Sequence, residues 1–440
     1  MSANALHERV IAFYLPQFHP IPENNEWWGQ GFTEWTNVAK AKPLYPGHEQ
    51  PRLPADLGFY DLRVPETRAE QARMARASGI EGFCYWHYWF GHGRRILERP
   101  FDEVLGSGAP SFPFCLAWAN QSWTGIWHGN PSSVLIEQKY PGPEDERAHF
   151  DWALKAFRDP RYMTVNGKPI FCVFAPHDMP STSAFTRHWR QLAADAGLPG
   201  LYLVAVSHIT ADSGIDPYRN SVVDPFDAVT HLTPLDYIGS RYLRRPLDFA
   251  YRWKTRDFVT RFSPWAAKYK RPVCFEYADV VERALTNMPD GARFLPQVIP
   301  NWDNTPRSGQ RGTVYMNSTP ELFGQYLSKA KAIVKNHPKN EAIIFVKAWN
   351  EWAEGNYLEP DLKHGHGYLD VMREVLGVGR SEDADCVSGG DDAVASLAKA
   401  EPADGLEDAA LRVARSPSPQ QMESKSGPMT SDRAHVRSSS

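Results

Sequence analysis

Short apolar runs alternate with amphipathic stretches along most of this chain, and that alternation limits its fold more than any other feature. Segments 9–15, 80–86, 112–118, 169–175, 201–206, 226–230, 296–300 and 342–348 read as buried strands. Helical patterns separate them. One opens at Val64-Pro65-Glu66 and runs through Met74 and Ala77 towards Gly79; others cover 96–105, 144–157, 183–196, part of 249–269, and 319–335. In the last of these Thr319 is the N-cap and Pro320 the first helical residue. Strands alternating with helices imply parallel βαβ units, and eight of them imply a closed (β/α)8 TIM barrel, an α/β fold. The run 273–277 does not fit the count: it is an extra strand, or the sixth strand is misplaced. The barrel is expected over residues 9–376. After Gly379 the composition turns to Ser, Asp, Ala and Gly with few aromatics, so 380–440 reads as a disordered tail.

The formal net charge of −4 argues against nucleic acid or an acidic membrane surface as the main partner. Four of the five cysteines, Cys84, Cys115, Cys172 and Cys274, sit in apolar strand-like runs without metal-ligand spacing. They read as reduced core residues of an intracellular protein. The first ten residues lack the apolar region of a signal peptide, and no later run is long enough to span a bilayer. A soluble cytoplasmic protein with no integral membrane segment is expected.

The residues with chemistry to offer gather at one end of these strands, which in a barrel is the end that carries the site. After the first strand comes a long aromatic-rich loop holding Gln17, His19, Trp27, Trp28, Glu34 and Trp35, with Tyr14 closing the strand itself. Trp86-His87 closes the second. Trp118 ends the third and is followed by Asn120, Gln121, Trp123 and His128. His208 follows the fifth strand and His231 the sixth; Trp302, Asp303, Asn304 and Arg307 follow the seventh; Asn350 and Tyr357 flank the turn after the eighth. Each has a plainer reading, as a hydrogen-bonded structural histidine, a core indole, or a loop-fixing Asp303–Arg307 ion pair. Their coincidence at one end describes a polar-aromatic cleft suited to a sugar. No His pair has the helical spacing of a metal site, so no metal or cofactor is expected.

The eighth strand runs into Trp349-Asn350-Glu351-Trp352-Ala353-Glu354-Gly355. Residues three apart face opposite sides in a strand and one side in a helical turn. Glu351 and Glu354 therefore converge only if the chain turns sharply after Trp349, and Gly355 with Asn356 permits that turn. Two neighbouring carboxyls among indoles suit acid/base work on a glycosidic bond. The alternative is a surface turn with two solvated glutamates.

Six blocks, IAFYLPQFHPIPENNEWWGQGFTEWTNV, QPRLPADLGFYDLR, GFCYWHYWF, LAWANQSWT, VIPNWDNTPR and KAWNEWAEGNYLEPD, resemble the WbsX-type family in order. The resemblance runs from about Arg9 to Leu376. Its members are labelled lipopolysaccharide-biosynthesis glycosyltransferases and are related in fold to the family 99 glycoside hydrolases, the endo-α-mannosidases. Those enzymes carry E-W-x-E-G after the last barrel strand, which Glu351 to Gly355 matches. The resemblance implies a retaining reaction. Glu351 takes the proton of the sugar 2-hydroxyl, which attacks its own anomeric carbon. Glu354 protonates the leaving oxygen and then activates water. The middle position is commonly His in the mannosidases and is Ala353 here, a departure that bears on mannose specificity.

Three functions follow. The first is cleavage of glycosidic bonds in a surface polysaccharide through Glu351 and Glu354, with an oligo- or polysaccharide as partner. The second is sugar transfer in O-antigen or capsule assembly. The third is glycan binding without catalysis. No G-x-G-x-x-G follows the first strand and no D-x-D follows a Rossmann-like strand, features of common nucleotide-sugar transferases, which favours the first.

Overall fold

The computed structural model describes residues 8–125, 130–208, 214–231, 272–286 and 288–379. The helix expected within 249–269, His128 and the tail 380–440 lie outside them. Within them the parallel strands form a ring: β1 (Arg9–Tyr14), β2 (Gly82–His87), β3 (Phe114–Trp118), β4 (Lys168–Val173), β5 (Tyr202–Ser207), β6 (Ala228–His231), a two-piece β7 (Phe294–Leu295 and Gln297–Val298) and β8 (Ile343–Val346). Val10 to Tyr14 are all buried, as are all residues of β8. That explains the unbroken apolar runs, since strands covered on both faces need no polar side. Inside the ring, Phe13 lies between Trp86 and Phe345, with ring centroids at 4.7 and 5.1 Å.

The seventh strand differs from the expected 296–300. Its first piece pairs with β6 through Phe294↔Val229, and its second with β8 through Gln297↔Phe345. Pro296, which has no N–H to donate, stands between them and still accepts a bond from the Phe345 N–H at 3.0 Å. One interrupted segment thus meets both flanking strands and closes the ring. The unplaced run is an extra strand: Val273–Glu276 pairs in parallel with Thr313–Met316, apart from the barrel. The sixth strand stands where it was expected.

Ten helices accompany the described strands: α1 (Pro22–Trp28), α2 (Glu34–Lys40), α3 (Pro65–Ala77), α4 (Arg99–Ser107), α5 (Pro143–Phe157), α6 (Thr182–Asp195), α7 (Tyr277–Arg283), α8 (Thr305–Ser308), α9 (Pro320–Val334) and α10 (Gly367–Leu376). The Thr319 side chain caps α9 by accepting from the Leu322 N–H. The long loop after β1 contains α1, which has Pro22 in its first turn, and α2, closed at its start by a Thr33/Thr36 capping box. These short helices carry Trp28 and Glu34 to the mouth of the barrel. No helix among the described residues is long and apolar enough to cross a membrane.

Candidate active site

After β8 the chain pairs briefly with itself, Asn350↔Tyr357 and Glu351↔Asn356, and Trp352–Glu354 makes one tight helical turn between the two arms. Gly355 closes that turn at φ 69°. A Cβ there would stand 2.7 Å from the Asp303 backbone nitrogen, whose N–H donates to the Glu354 carbonyl at 2.7 Å. The glycine therefore serves both the left-handed turn and the close approach of the loop after β7. The i, i+3 geometry puts both carboxyls on one cavity of about 720 Å3, within the usual size of a small-molecule site.

One guanidinium organises the acids. Arg307, from α8, donates from Nε to Glu34 at 3.0 Å, from Nη1 to Glu354 at 2.5 Å and from Nη2 to Glu351 at 3.3 Å. Lys347, at the end of β8, stands 3.3 Å from Glu354 and 3.9 Å from Glu351. Its ammonium also sits 5.4 Å from the centre of the Trp302 ring. The environments of the three acids differ. Burial raises Glu351 above the usual carboxylate range, and the charge of Glu354 adds to this; Lys347 and Arg307 offset it only in part. Burial also pushes Glu354 up, but Lys347, Arg307 and the Asn356 amide outweigh it and hold the carboxyl at about 2. Burial raises Glu34 as well, against the pull of Arg307. The pair is thus split in the direction opposite to the roles the resemblance implies: burial favours the proton on Glu351, and the two cations favour the negative charge on Glu354.

Of the residues expected at the site, Gln17, Trp28, Glu34, Trp86, Asn120, Gln121, Trp123, Glu351 and Glu354 line this cavity. Trp123 joins an aromatic wall, with Trp27 at 5.9 Å and Tyr88 edge-on at 5.3 Å. The rest lie around the cavity. Tyr14 donates to Gln71, Trp35 to the Tyr60 carbonyl, and Trp118 to the Trp89 carbonyl. His19 bonds the Pro16 carbonyl, and burial lowers it to about 4. His87 packs against His149 at 3.1 Å, and burial holds it well below the usual imidazole range. His231 lies against the Tyr218 ring. Asn350 clasps Leu15, accepting from its N–H at 2.7 Å and donating to its carbonyl at 3.0 Å. Tyr357 donates to Asp361, and Asn304 accepts from the Thr313 N–H. Trp302 flanks the site through Lys347. Asp303 gathers His48, Gln50 and Thr305 at 2.9, 2.8 and 2.6 Å, which anchors the loop.

Arg307 was readable only as a loop cation, because its partners come together only through the barrel, Glu34 standing 273 residues away; Lys347, whose partners Glu351 and Glu354 are near it in sequence, was not singled out. Asn37, Tyr88, Tyr140 and Asp178 also line the cavity without having been singled out. Among the described residues no group of three or more His, Cys, Asp and Glu is arranged to hold a metal ion.

The family model for the WbsX glycosyltransferases matches residues 10–372. The uncharacterized protein WxcX of Xanthomonas campestris pv. campestris is 36% identical over 368 residues, which are 83% of this chain and 49% of that protein. The chain therefore spans about half the length of the curated relatives it matches. Among solved structures, a glycoside hydrolase-like protein aligns over 86% of this chain and 96% of its own at a TM-score of 0.50 and 14% identity, a likeness of fold alone. The GH99 endo-alpha-mannosidase from Bacteroides thetaiotaomicron aligns over 83% and 98% at a TM-score of 0.44 and 13% identity.

Proposed function

The chain belongs to the WbsX glycosyltransferase family, a family of carbohydrate-active enzymes, and we propose that it breaks glycosidic bonds of a surface polysaccharide or glycan through Glu351 and Glu354. The observation that carries this reading is the single Arg307 guanidinium, which draws Glu34, Glu351 and Glu354 onto one indole-walled cavity. Two acids with opposed proton affinities, side by side beneath Trp28, Trp86 and Trp123, are what hydrolysis of a sugar–sugar bond needs.

In the proposed reaction a sugar ring stacks on the indoles with its anomeric carbon facing the pair. Glu354, ionised at rest, accepts the proton of the 2-hydroxyl, and that oxygen attacks the anomeric carbon. Glu351 gives its proton to the departing glycosidic oxygen as the bond breaks. In the second half Glu351, now ionised, takes a proton from water. The resulting hydroxide opens the anhydro ring, and Glu354 returns its proton to the 2-oxygen. Anomeric configuration is retained through two inversions, and atoms and protons balance. Gln17, Asn120, Trp28 and Trp123 are the proposed substrate contacts. A cytoplasmic location is proposed on Cys84, Cys115 and Cys172, three buried cysteines that form no disulfide.

The family name favours a second reading, transfer, in which a sugar hydroxyl takes the place of water. Product analysis with the producing cell's own surface polysaccharide decides. New reducing ends support hydrolysis, consumption of a sugar nucleotide supports transfer, and tight binding with neither leaves a glycan-binding protein.

A further inference from the structure

Glu359 lies five residues beyond Glu354, on the far side of the acid-bearing turn, and is 2% exposed. Its Oε1 accepts from the Gln71 amide at 2.6 Å, and its Oε2 accepts from the Tyr60 hydroxyl at 2.9 Å and the Trp352 indole at 2.6 Å. These donors come from three places: α3, the loop after β1, and the turn itself. Among the described residues no lysine, arginine or histidine forms an ion pair with it. A buried carboxylate held only by neutral donors is costly, and packing alone would be better served by an apolar side chain.

What the carboxylate holds gives it a use. Trp352 stands between Glu351 and Glu354, stacked on Tyr357 with ring centroids 3.8 Å apart. The Tyr60 hydroxyl receives the Asn350 amide at 3.3 Å, and Asn350, next to Glu351, fastens the turn to Leu15. Behind Gln71, the Tyr14 hydroxyl donates to its amide oxygen. We propose that Glu359 is a positioning residue for the acid pair: its ionised carboxylate collects Gln71, Tyr60 and Trp352, and so sets the direction of every hydrogen bond from Tyr14 to Asn350. The inference rests on reading Glu351 and Glu354 as the reacting acids.

Charge is what makes the arrangement one-directional. An ionised carboxylate only accepts, so Tyr60 must donate to it, which leaves the phenol oxygen free to accept from Asn350. A protonated Glu359 would itself have to donate. Its proton and the Asn350 amide would then converge on the Tyr60 oxygen, whose own hydrogen would lose its acceptor, and the turn would lose its fixed orientation. The titratable groups facing Glu359 are Tyr14 from β1 and Tyr60 from the loop, both raised by burial; Arg68 on α3 is held by the Leu62 carbonyl and Glu103. Burial pushes Glu359 itself up to about 7, only partly offset by its neutral hydrogen-bond donors, so its charge changes near neutrality.

The test compares the whole wild-type chain with Glu359→Gln, which keeps the shape but brings an N–H where only acceptance fits, and with Tyr60→Phe, which removes one donor to Glu359 and the acceptor of the Asn350 amide. Near-ultraviolet circular dichroism follows the indoles from pH 5 to 9, and kcat and KM are measured on the glycan. The expected result is an indole transition near pH 7 in the wild type that Glu359→Gln lacks. In both variants kcat should fall, about tenfold or more in Glu359→Gln, with KM unchanged. If Glu359→Gln melts lower yet keeps the wild-type kcat and pH profile, Glu359 is only structural and the proposal is overturned. A wild type that acts on no glycan would sink the proposed function; the indole transition then decides alone whether Glu359 governs the turn, and its presence in Glu359→Gln overturns the inference.

Discussion

The turn after β8 has carboxylates on both sides, and the two sides are built differently. Facing the cavity, Glu354 meets Arg307 and Lys347, is held at about 2, and keeps 16% of its side chain exposed. Behind the turn, Glu359 meets an amide, a phenol and an indole and is raised to about 7. The same side chain, five residues further on, is charged or readily protonated according to whether its partners carry charge and how fully it is buried. Glu351 shares both cations with Glu354 but sits further from each, and burial raises its carboxyl. In the proposed reaction this difference lets Glu351 donate a proton while Glu354 accepts one.

Breaking the cationic side should have the largest effect. Arg307→Met leaves three buried carboxylates without their common partner, and a loss of about 3–5 kcal/mol is expected in urea unfolding at pH 7. The loss should shrink in acid, where the carboxyls are protonated. The neutral side should respond to pH in the opposite sense. A carboxyl raised when folded binds its proton more tightly than in the unfolded chain, so its contribution is full below about 4.5 and is lost as pH rises through about 7. Stability should fall across that window by up to ~3 kcal/mol, at 1.36 kcal/mol per pKa unit, and Glu359→Gln should flatten the slope. The lowered Glu354 works the other way, its contribution disappearing as pH falls from about 4.5 towards 2.

Gly355→Ala probes the turn that separates the two sides. The left-handed conformation costs about 1–2 kcal/mol for a residue with a Cβ, and the Asp303 backbone adds to it. A melting scan should show the loss, and activity should fall with it because Glu354 moves. Trp28→Ala is the mildest change. Trp28 is only half-buried, so the melting temperature should hold while glycan affinity drops by about 1 kcal/mol in calorimetry. Unfolding on this substitution would make Trp28 a core residue.

The barrel was legible because strands buried on both faces leave long apolar runs. β7 was mislocated because Pro296 divides it into two short pieces with different partners. The acids were legible because their convergence is local, a matter of one turn and one glycine. The rest of the cavity was less so, for two reasons. Neighbours at a strand end point to opposite faces: Trp86 lines the cavity while His87 packs against His149 and Trp152 of α5. Tyr14, Asn350 and Trp35 likewise support the site from behind. The cations were hidden because sequence shows a charge but not its partner. Asp303 and Arg307 read as a loop pair, whereas Asp303 anchors to His48 and Gln50, and Arg307 reaches across to Glu34.

The proposed function divides proton donation and acceptance at a glycosidic bond between Glu351 and Glu354. Its most direct test is to assay Glu351→Gln and Glu354→Gln on the natural glycan and on an aryl glycoside whose leaving group needs no proton. Both variants should lose about 10²–10⁴-fold on the natural glycan. Glu351→Gln should recover on the aryl glycoside because the missing proton is no longer required, while Glu354→Gln should stay inactive because the 2-hydroxyl still lacks its base. Recovery of Glu354→Gln alone would reverse the two roles, and wild-type activity of both variants on the natural glycan would contradict the claim.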